Sequence, residues 1–305
     1  MGNNNQEVFH KTNINWFPGH MAKTRRQIEE DLKLVDIVIE LLDSRIPISS
    51  QNPDLKNILK NKTVIKVLNK SDLSDSEENK KWKDYFLRQG IPAVIVNSNT
   101  GYGIEETIRK IEELMQTKLE TLSEKGRTGR KIRAMIVGIP NVGKSSFINR
   151  VAKKSSAEVG NKPGVTKNKQ WIRINDKIEL LDTPGVLWPK LQNENVAFNL
   201  SFTGTIKDDI LAKTEIAYQL LKYLLNNYMD NVCERYELKK EIIEEILNQE
   251  ENSENVNIYE IMLEIGKKRG AIISGGNVDD EKTSKIIIED FRTGKLGNIT
   301  LEKVK

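Results

Sequence analysis

Cysteine is almost missing from this chain: Cys233 is the single one in 305 residues, so no internal disulfide can form, and a reducing compartment is expected. Long apolar runs are missing too, and nothing approaches the roughly 18 residues of a membrane span. The opening stretch, MGNNNQEVFHKTN, is polar and lacks the apolar centre of a secretory signal. Gln6 stands where a myristoylation motif beginning at Met1-Gly2 needs Ser or Thr. These absences argue for a cytoplasmic protein with no membrane attachment. No internal repeat stands out. What is present is charge, 30% of residues against 37% hydrophobic, on a length that suits about two domains.

The net charge of +4 conceals an uneven distribution. Residues 201–305 hold 15 basic and 20 acidic residues, so the first 200 carry the excess of positive charge. Between Thr121 and Lys177 there are 14 basic residues against three acidic. A surface of that sign attracts polyanions through counterion release and steering. A nucleotide site accounts for Lys144, but not for Arg127, Arg130, Lys131, Arg133, Lys153, Lys154, Lys167, Lys169 and Arg173. RNA contact is the expectation for these.

Short β-branched runs alternate with helical patterns through the first 185 residues, which predicts βαβ units around a parallel sheet. Strands are expected at 35–42, 63–68, 93–96, 132–137, 170–174 and 178–181, and helices at 20–34, 76–89, 104–122 and 144–151. The stretch 123–130, SEKGRTGR, reads as a linker. Beyond about residue 191 only helical spacing remains, at 206–228, 238–247, 258–267 and 280–291, with a polar break over 248–257 and a turn at Gly275-Gly276. The organisation expected is an N-terminal extension over 1–14, an α/β domain over 15–191 and a small all-helical domain over 192–305.

Three motifs carry chemistry. GIPNVGKS (Gly138 to Ser145) fits a phosphate loop and sits between an apolar strand and a helical pattern. There the backbone N–H groups around Asn141, Val142, Gly143, Lys144, Ser145 and Ser146 can surround phosphates at a helix N-terminus. Lys144 would reach the β and γ phosphates, and the Ser145 hydroxyl would bind Mg2+. DTPG follows the apolar KIELL. Asp182 would hold a magnesium-bound water there, and the Gly185 N–H would sense a γ-phosphate. In the intervening KPGVTKNK, Thr166 is the candidate second Mg2+ ligand.

NKSD (Asn69, Lys70, Ser71, Asp72) selects the base. The Asp72 carboxylate can accept from N1–H and the 2-amino group of guanine; adenine offers neither, and the unpaired acceptor costs roughly 1–3 kcal/mol. Asn69 would touch the base edge and fix the loop, while the Lys70 stem covers one face. The strand AVIV runs into Asn97 and Ser98, where a backbone N–H can meet the guanine carbonyl. Val186 and Leu187 follow DTPG where many GTPases carry a water-orienting Gln, so intrinsic hydrolysis should be slow.

The motif order NKSD, NSNTG, GIPNVGKS, PGVT, DTPG resembles that of the circularly permuted GTPases. With NWFPGHMAKT (Asn15 to Thr24), DSRIP (Asp43 to Pro47) and FRTGKLGNITLE (Phe291 to Glu302), the chain is similar to the ribosome biogenesis GTPase A family. That resemblance implies an α/β fold: a circularly permuted P-loop GTPase domain, with a mostly parallel sheet and helices on both faces, then a small helical domain. It implies a monomeric bacterial factor in late maturation of the large (50S) ribosomal subunit. Such a factor binds the subunit precursor, rRNA and ribosomal proteins, and the particle stimulates its hydrolysis of GTP. An alternative is a nucleotide-gated RNA-binding adaptor whose hydrolysis is incidental.

By resemblance His20 is the candidate catalytic group; capping the following helix or contacting RNA are its other readings. Asn141 occupies the position where potassium-dependent GTPases ligate K+, or else it only shapes the loop. Lys267, Lys268, Arg269, Arg292 and Lys295 are candidate rRNA contacts.

Overall fold

A computed structural model of the protein describes residues 26–124, 130–159, 171–182, 193–206, 212–248 and 254–304. Among the described residues six strands form one sheet, in the order β3-β2-β1-β4-β6-β5. They are β1 (Ile37–Asp43), β2 (Thr63–Asn69), β3 (Ala93–Ile95), β4 (Ile132–Val137), β5 (Trp171–Arg173) and β6 (Ile178–Leu181). All neighbours are parallel except β5, which runs antiparallel to β6 at the edge. All six strands fall where the apolar runs placed them.

The central strand β1 is buried throughout, as expected of a strand covered on both faces. Its alternate residues face opposite sides. Ile37, Ile39 and Leu41 join one core cluster, and Val38 joins a second beneath the helical residues 26–32. The exceptions to apolar character are Asp43 at its end and Glu40, the latter paired in register with Lys66 of β2 and bonded to it at 2.6 Å, both side chains buried. A buried carboxylate is tolerable only with such a partner.

The connecting helices are α1 (Pro53–Ile58), α2 (Ser76–Arg88), α3 (Ile104–Glu124) and α4 (Lys144–Val159). Proline at its first turn and the Asn52 side chain accepting from the Asp54 N–H start the short α1, which periodicity did not predict. The Asp75 carboxylate caps α2 by accepting from the N–H groups of Glu77 and Glu78. Where the chain rejoins α3 to β4, the buried Asp36 carboxylate accepts from Lys118 at 2.8 Å, from Arg130 at 3.2 Å and from the Arg133 N–H at 2.9 Å.

The elements described beyond β6 are helices: α5 (Glu194–Phe202), α6 (Lys213–Asn227), α7 (Met229–Tyr236), α8 (Lys240–Leu247), α9 (Glu254–Lys268) and α10 (Asp280–Arg292). The start of the helix expected over 206–228 is corrected: Gly204, at φ 72°, turns the chain after α5, and α6 starts only at Lys213. Its end holds, with Tyr228 separating α6 from α7. The polar break is also narrower than expected, because α9 begins at Glu254. α6 buries Ile216, Ala217, Leu220, Leu221, Leu224 and Leu225, a stripe of helical spacing against which α10 packs Ile287, Ile288 and Phe291. These side chains belong to the same continuous core as Ile37 and Ile39 of the sheet.

After α10 the chain returns to the sheet. The Ile299 N–H donates to the Leu73 carbonyl at 3.0 Å, the Leu301 N–H to that of Arg45 at 2.8 Å, and the Asp75 N–H to the Thr300 hydroxyl at 3.0 Å. The Glu302 carboxylate accepts from the N–H groups of Ile48 and Ser49 and from the Ser49 hydroxyl, while the Trp82 indole donates to the Glu302 carbonyl. Burial pushes the Glu302 carboxyl above its ordinary range, against those hydrogen bonds.

Candidate nucleotide-binding site

A parallel sheet delivers the carboxyl ends of its strands to one edge, where ligands of α/β proteins bind. Here β2 ends in NKSD, β3 runs into Asn97 and Ser98, β4 into the GIPNVGKS loop and β6 into Asp182. The edge opens into a cavity of about 960 Å³. Among its lining residues are Asn69, Lys70, Asp72, Asn97, Ser98 and Asn141, together with Gly143, Lys144, Ser145, Ser146 and Asp182. Four strand ends far apart in sequence therefore share one space.

Asn69 ties the first three, its own loop, the Ser98 loop and the phosphate loop. Its side-chain N–H donates to the Val142 carbonyl at 2.9 Å, and its oxygen accepts from the Ser98 hydroxyl at 2.7 Å and the Ser98 N–H at 3.2 Å. Both polar ends are engaged by protein, which makes Asn69 a tie between loops. Gly143, at φ 97°, lies so close that a Cβ there would stand 2.3 Å from the Asn69 amide nitrogen. Glycine is therefore required by backbone conformation and by space.

Val142 itself is buried in the core and reaches the site through its backbone, and Ser71 donates its N–H to the Val96 carbonyl at 3.2 Å. Asn97 shapes the next loop, its side-chain oxygen accepting from the N–H groups of Asn99 and Thr100. Asp72 is exposed at the rim.

The Lys144 ammonium donates to the carbonyls of Gly138 and Ile139 at 3.1 and 3.0 Å, crowning its own loop. Burial pulls its pKa down to about 8, with the Asp182 carboxylate opposing the shift. Ser145 and Asp182 offer a hydroxyl and a carboxylate to the same cavity, a donor set that suits a hard cation such as Mg2+. Asn141, at φ 59°, donates its amide N–H to the Gly204 carbonyl at 2.6 Å, tying the loop to the turn after α5. His20, Thr166 and Gly185 lie outside the described residues, as do Arg127, Lys167 and Lys169.

Two features of the site were not anticipated. Arg292, expected to contact rRNA, lines this cavity, and its guanidinium donates to the carbonyls of Phe202 at 3.0 Å and Ser201 at 2.7 Å. Behind the base loop the buried Asp43 carboxylate joins Lys70 to Arg45. No periodicity signals either one; the DSRIP segment was the available hint.

The basic residues elsewhere are largely engaged. Lys131 pairs with Glu179, Arg173 with Asp176 and Lys267 with Glu264, while Arg133 and Arg269 lie over the rings of Trp171 and Tyr236. Lys295 stands 3.6 Å from Asp290, and Lys268 is exposed. Among the described residues no helix is long and apolar enough to cross a membrane.

A family described as "50S ribosome-binding GTPase" matches residues 133–260. Over 290 residues the chain is 47% identical to "Ribosome biogenesis GTPase A" of Bacillus licheniformis, covering 95% of this chain and 98% of that protein. It is 27% identical to the protein of the same name from Thermotoga maritima, again over 290 residues, with 95% and 94% of the two chains covered. The GNP-bound structure of T. maritima YlqF superposes with a TM-score of 0.63 at 24% identity, covering 92% of this chain and 98% of that one, which speaks to the fold.

Proposed function

The chain belongs to the ribosome biogenesis GTPase A family, and from that premise we propose that it hydrolyses GTP in the cavity at the carboxyl edge of the sheet. In this reading turnover governs its hold on a precursor of the large ribosomal subunit. The GTP-bound form binds rRNA and ribosomal proteins, and hydrolysis releases it. The observation that carries the reading is the Asn69 side chain, which ties the base loop, the Ser98 loop and the phosphate loop around one space.

Asp72 reads guanine and Lys70 walls one face of the base. Lys144 bears on the phosphates, aided by backbone N–H groups at the start of α4. Ser145, Thr166 and Asp182, the last through a water, would hold Mg2+, which would supply positive charge against the phosphates. Gly185 senses the γ-phosphate. Because Val186 follows it, intrinsic hydrolysis is slow, and His20 orients the water once the particle is bound. The amide oxygen of Asn141 would ligate K+, which would add positive charge beside the phosphates. Residues 192–305 act as the ribosome-facing unit, although they share the sheet's core. The protein works as a monomer.

Single-turnover hydrolysis with and without large-subunit precursor tests this reading. Strong stimulation is expected; its absence favours the adaptor alternative. Sedimentation with ribosomal particles under GTP, GDP and a non-hydrolysable analogue adds the switch. Binding indifferent to nucleotide removes it.

A further inference from the structure

Asp43 ends the central strand β1, directly in register with Asn69, and its carboxylate is 1% exposed. It accepts four hydrogen bonds or ion contacts. One oxygen takes the Arg45 N–H at 3.1 Å and the Arg45 Nε at 3.0 Å; the other takes Arg45 Nη2 at 2.8 Å and the Lys70 ammonium at 2.9 Å. Lys70 thus sits in an unusual posture: its backbone is left-handed at φ 61° and the tip of its side chain is tied down, while the stem between borders the nucleotide cavity. The far side of the cluster is closed by the C-terminal segment. The Arg45 guanidinium lies over the Phe291 ring, 5.2 Å from its centre, and the Arg45 carbonyl accepts the Leu301 N–H.

A free lysine side chain samples many rotamers, and holding it costs on the order of 1.5–2 kcal/mol of entropy. A stem that must lie flat against a base is more effective when that cost is met before the base arrives. We propose that Asp43 is a positioning residue for guanine recognition: by anchoring the Lys70 ammonium it fixes the Lys70 stem as a preformed wall of the base site, with Arg45 and Phe291 keeping water from the anchor. Buried between two cations, Asp43 stays ionised, so the anchor persists at all physiological pH values. The inference rests on the GTP reading of the cavity and adds to it a residue that touches no nucleotide.

The test is a double-mutant cycle on GDP affinity, read by fluorescent GDP titration, with D43N, K70M and the double variant. K70M keeps the stem and removes the tie without disturbing the Asp43–Arg45 pair. Each single substitution is expected to weaken GDP binding about tenfold, and the double variant no more than either alone, because both remove one anchor. Single effects that multiply to about a hundredfold would overturn the proposal, since Asp43 would then act independently of Lys70. If D43N does not fold, K70M decides: GDP binding like the parent protein also overturns it. D72N, assayed alongside, separates the two levels of the argument. If D72N leaves the preference for GTP over XTP unchanged, the base-site reading itself fails. If D72N shifts that preference while the cycle is multiplicative, only the role of Asp43 is lost.

Discussion

The side-chain amide of Asn69 donates to the carbonyl of Val142 across 73 residues of sequence, joining the end of β2 to the phosphate loop. Replacing Asn69 with Ala leaves that buried carbonyl and the Ser98 donors without their partner. A loss of about 2–4 kcal/mol of stability is expected, read from urea unfolding without nucleotide. GDP affinity should fall with it, because two of the three loops lose their common tether. Unchanged stability would mean water replaces these bonds readily.

Gly143→Ala should be harsher on binding than on folding. The added methyl would meet the Asn69 amide at 2.3 Å, and a left-handed backbone costs a non-glycine residue about 1–2 kcal/mol. Relief requires the loop to shift, which misaims the N–H groups around Lys144. GDP affinity is expected to drop at least about a hundredfold while circular dichroism stays that of the parent; tight binding by this variant would contradict the loop geometry.

Asp72→Asn should exchange base preference. The amide can donate to the 2-oxo group of xanthine but cannot satisfy both guanine donors, so GTP binding should weaken roughly tenfold or more and XTP binding should improve. Competition of both nucleotides against labelled GDP reads this directly.

Asn141→Ala probes the monovalent ion. If the amide oxygen ligates K+, hydrolysis by the parent protein should be faster in KCl than in NaCl, and the variant should not distinguish the salts. A variant that retains the difference would leave Asn141 only as the partner of the Gly204 carbonyl.

Asp36 gives a pH signature. Burial opposes its charge, but the hydrogen bonds from Lys118 and the Arg133 N–H, with the charges of Lys118 and Arg130, outweigh burial and hold the carboxyl below its ordinary range. A depressed folded pKa contributes stability that is present above the unfolded value, near 3.8, and is lost as pH falls through the folded value. Asp36→Asn should therefore destabilise by about 1–2 kcal/mol at neutral pH, and the gap should close below that range. Denaturation midpoints at pH 7 and pH 3 check it.

The strands were legible because each is a short apolar run bounded by polar residues, and the site motifs because their spacing is local. α5 was missed because NVAFNLSF is apolar on most sides, so no stripe separates a buried face from a wet one. The helix expected over 206–228 ended where it should, at Tyr228, but starts only at Lys213, after Ala212, which lends it no side-chain cap. Separation in sequence hid the Asp43–Lys70 anchor: DSRIP was visible as a string, but its partner is named only by strand order. A clean division at residue 192 was drawn from a change in pattern, while packing merges both sides into one core.

The return of residues 291–302 onto the Leu73–Asp75 turn has a bearing on how the protein is made. Asp75 meets Thr300 across 225 residues. At roughly 5–20 residues per second of translation, the base loop emerges on the order of ten to several tens of seconds before the segment that covers it. During that interval a nascent chain presents the loop without its cover, so its hold on guanine should mature only as the final helix docks.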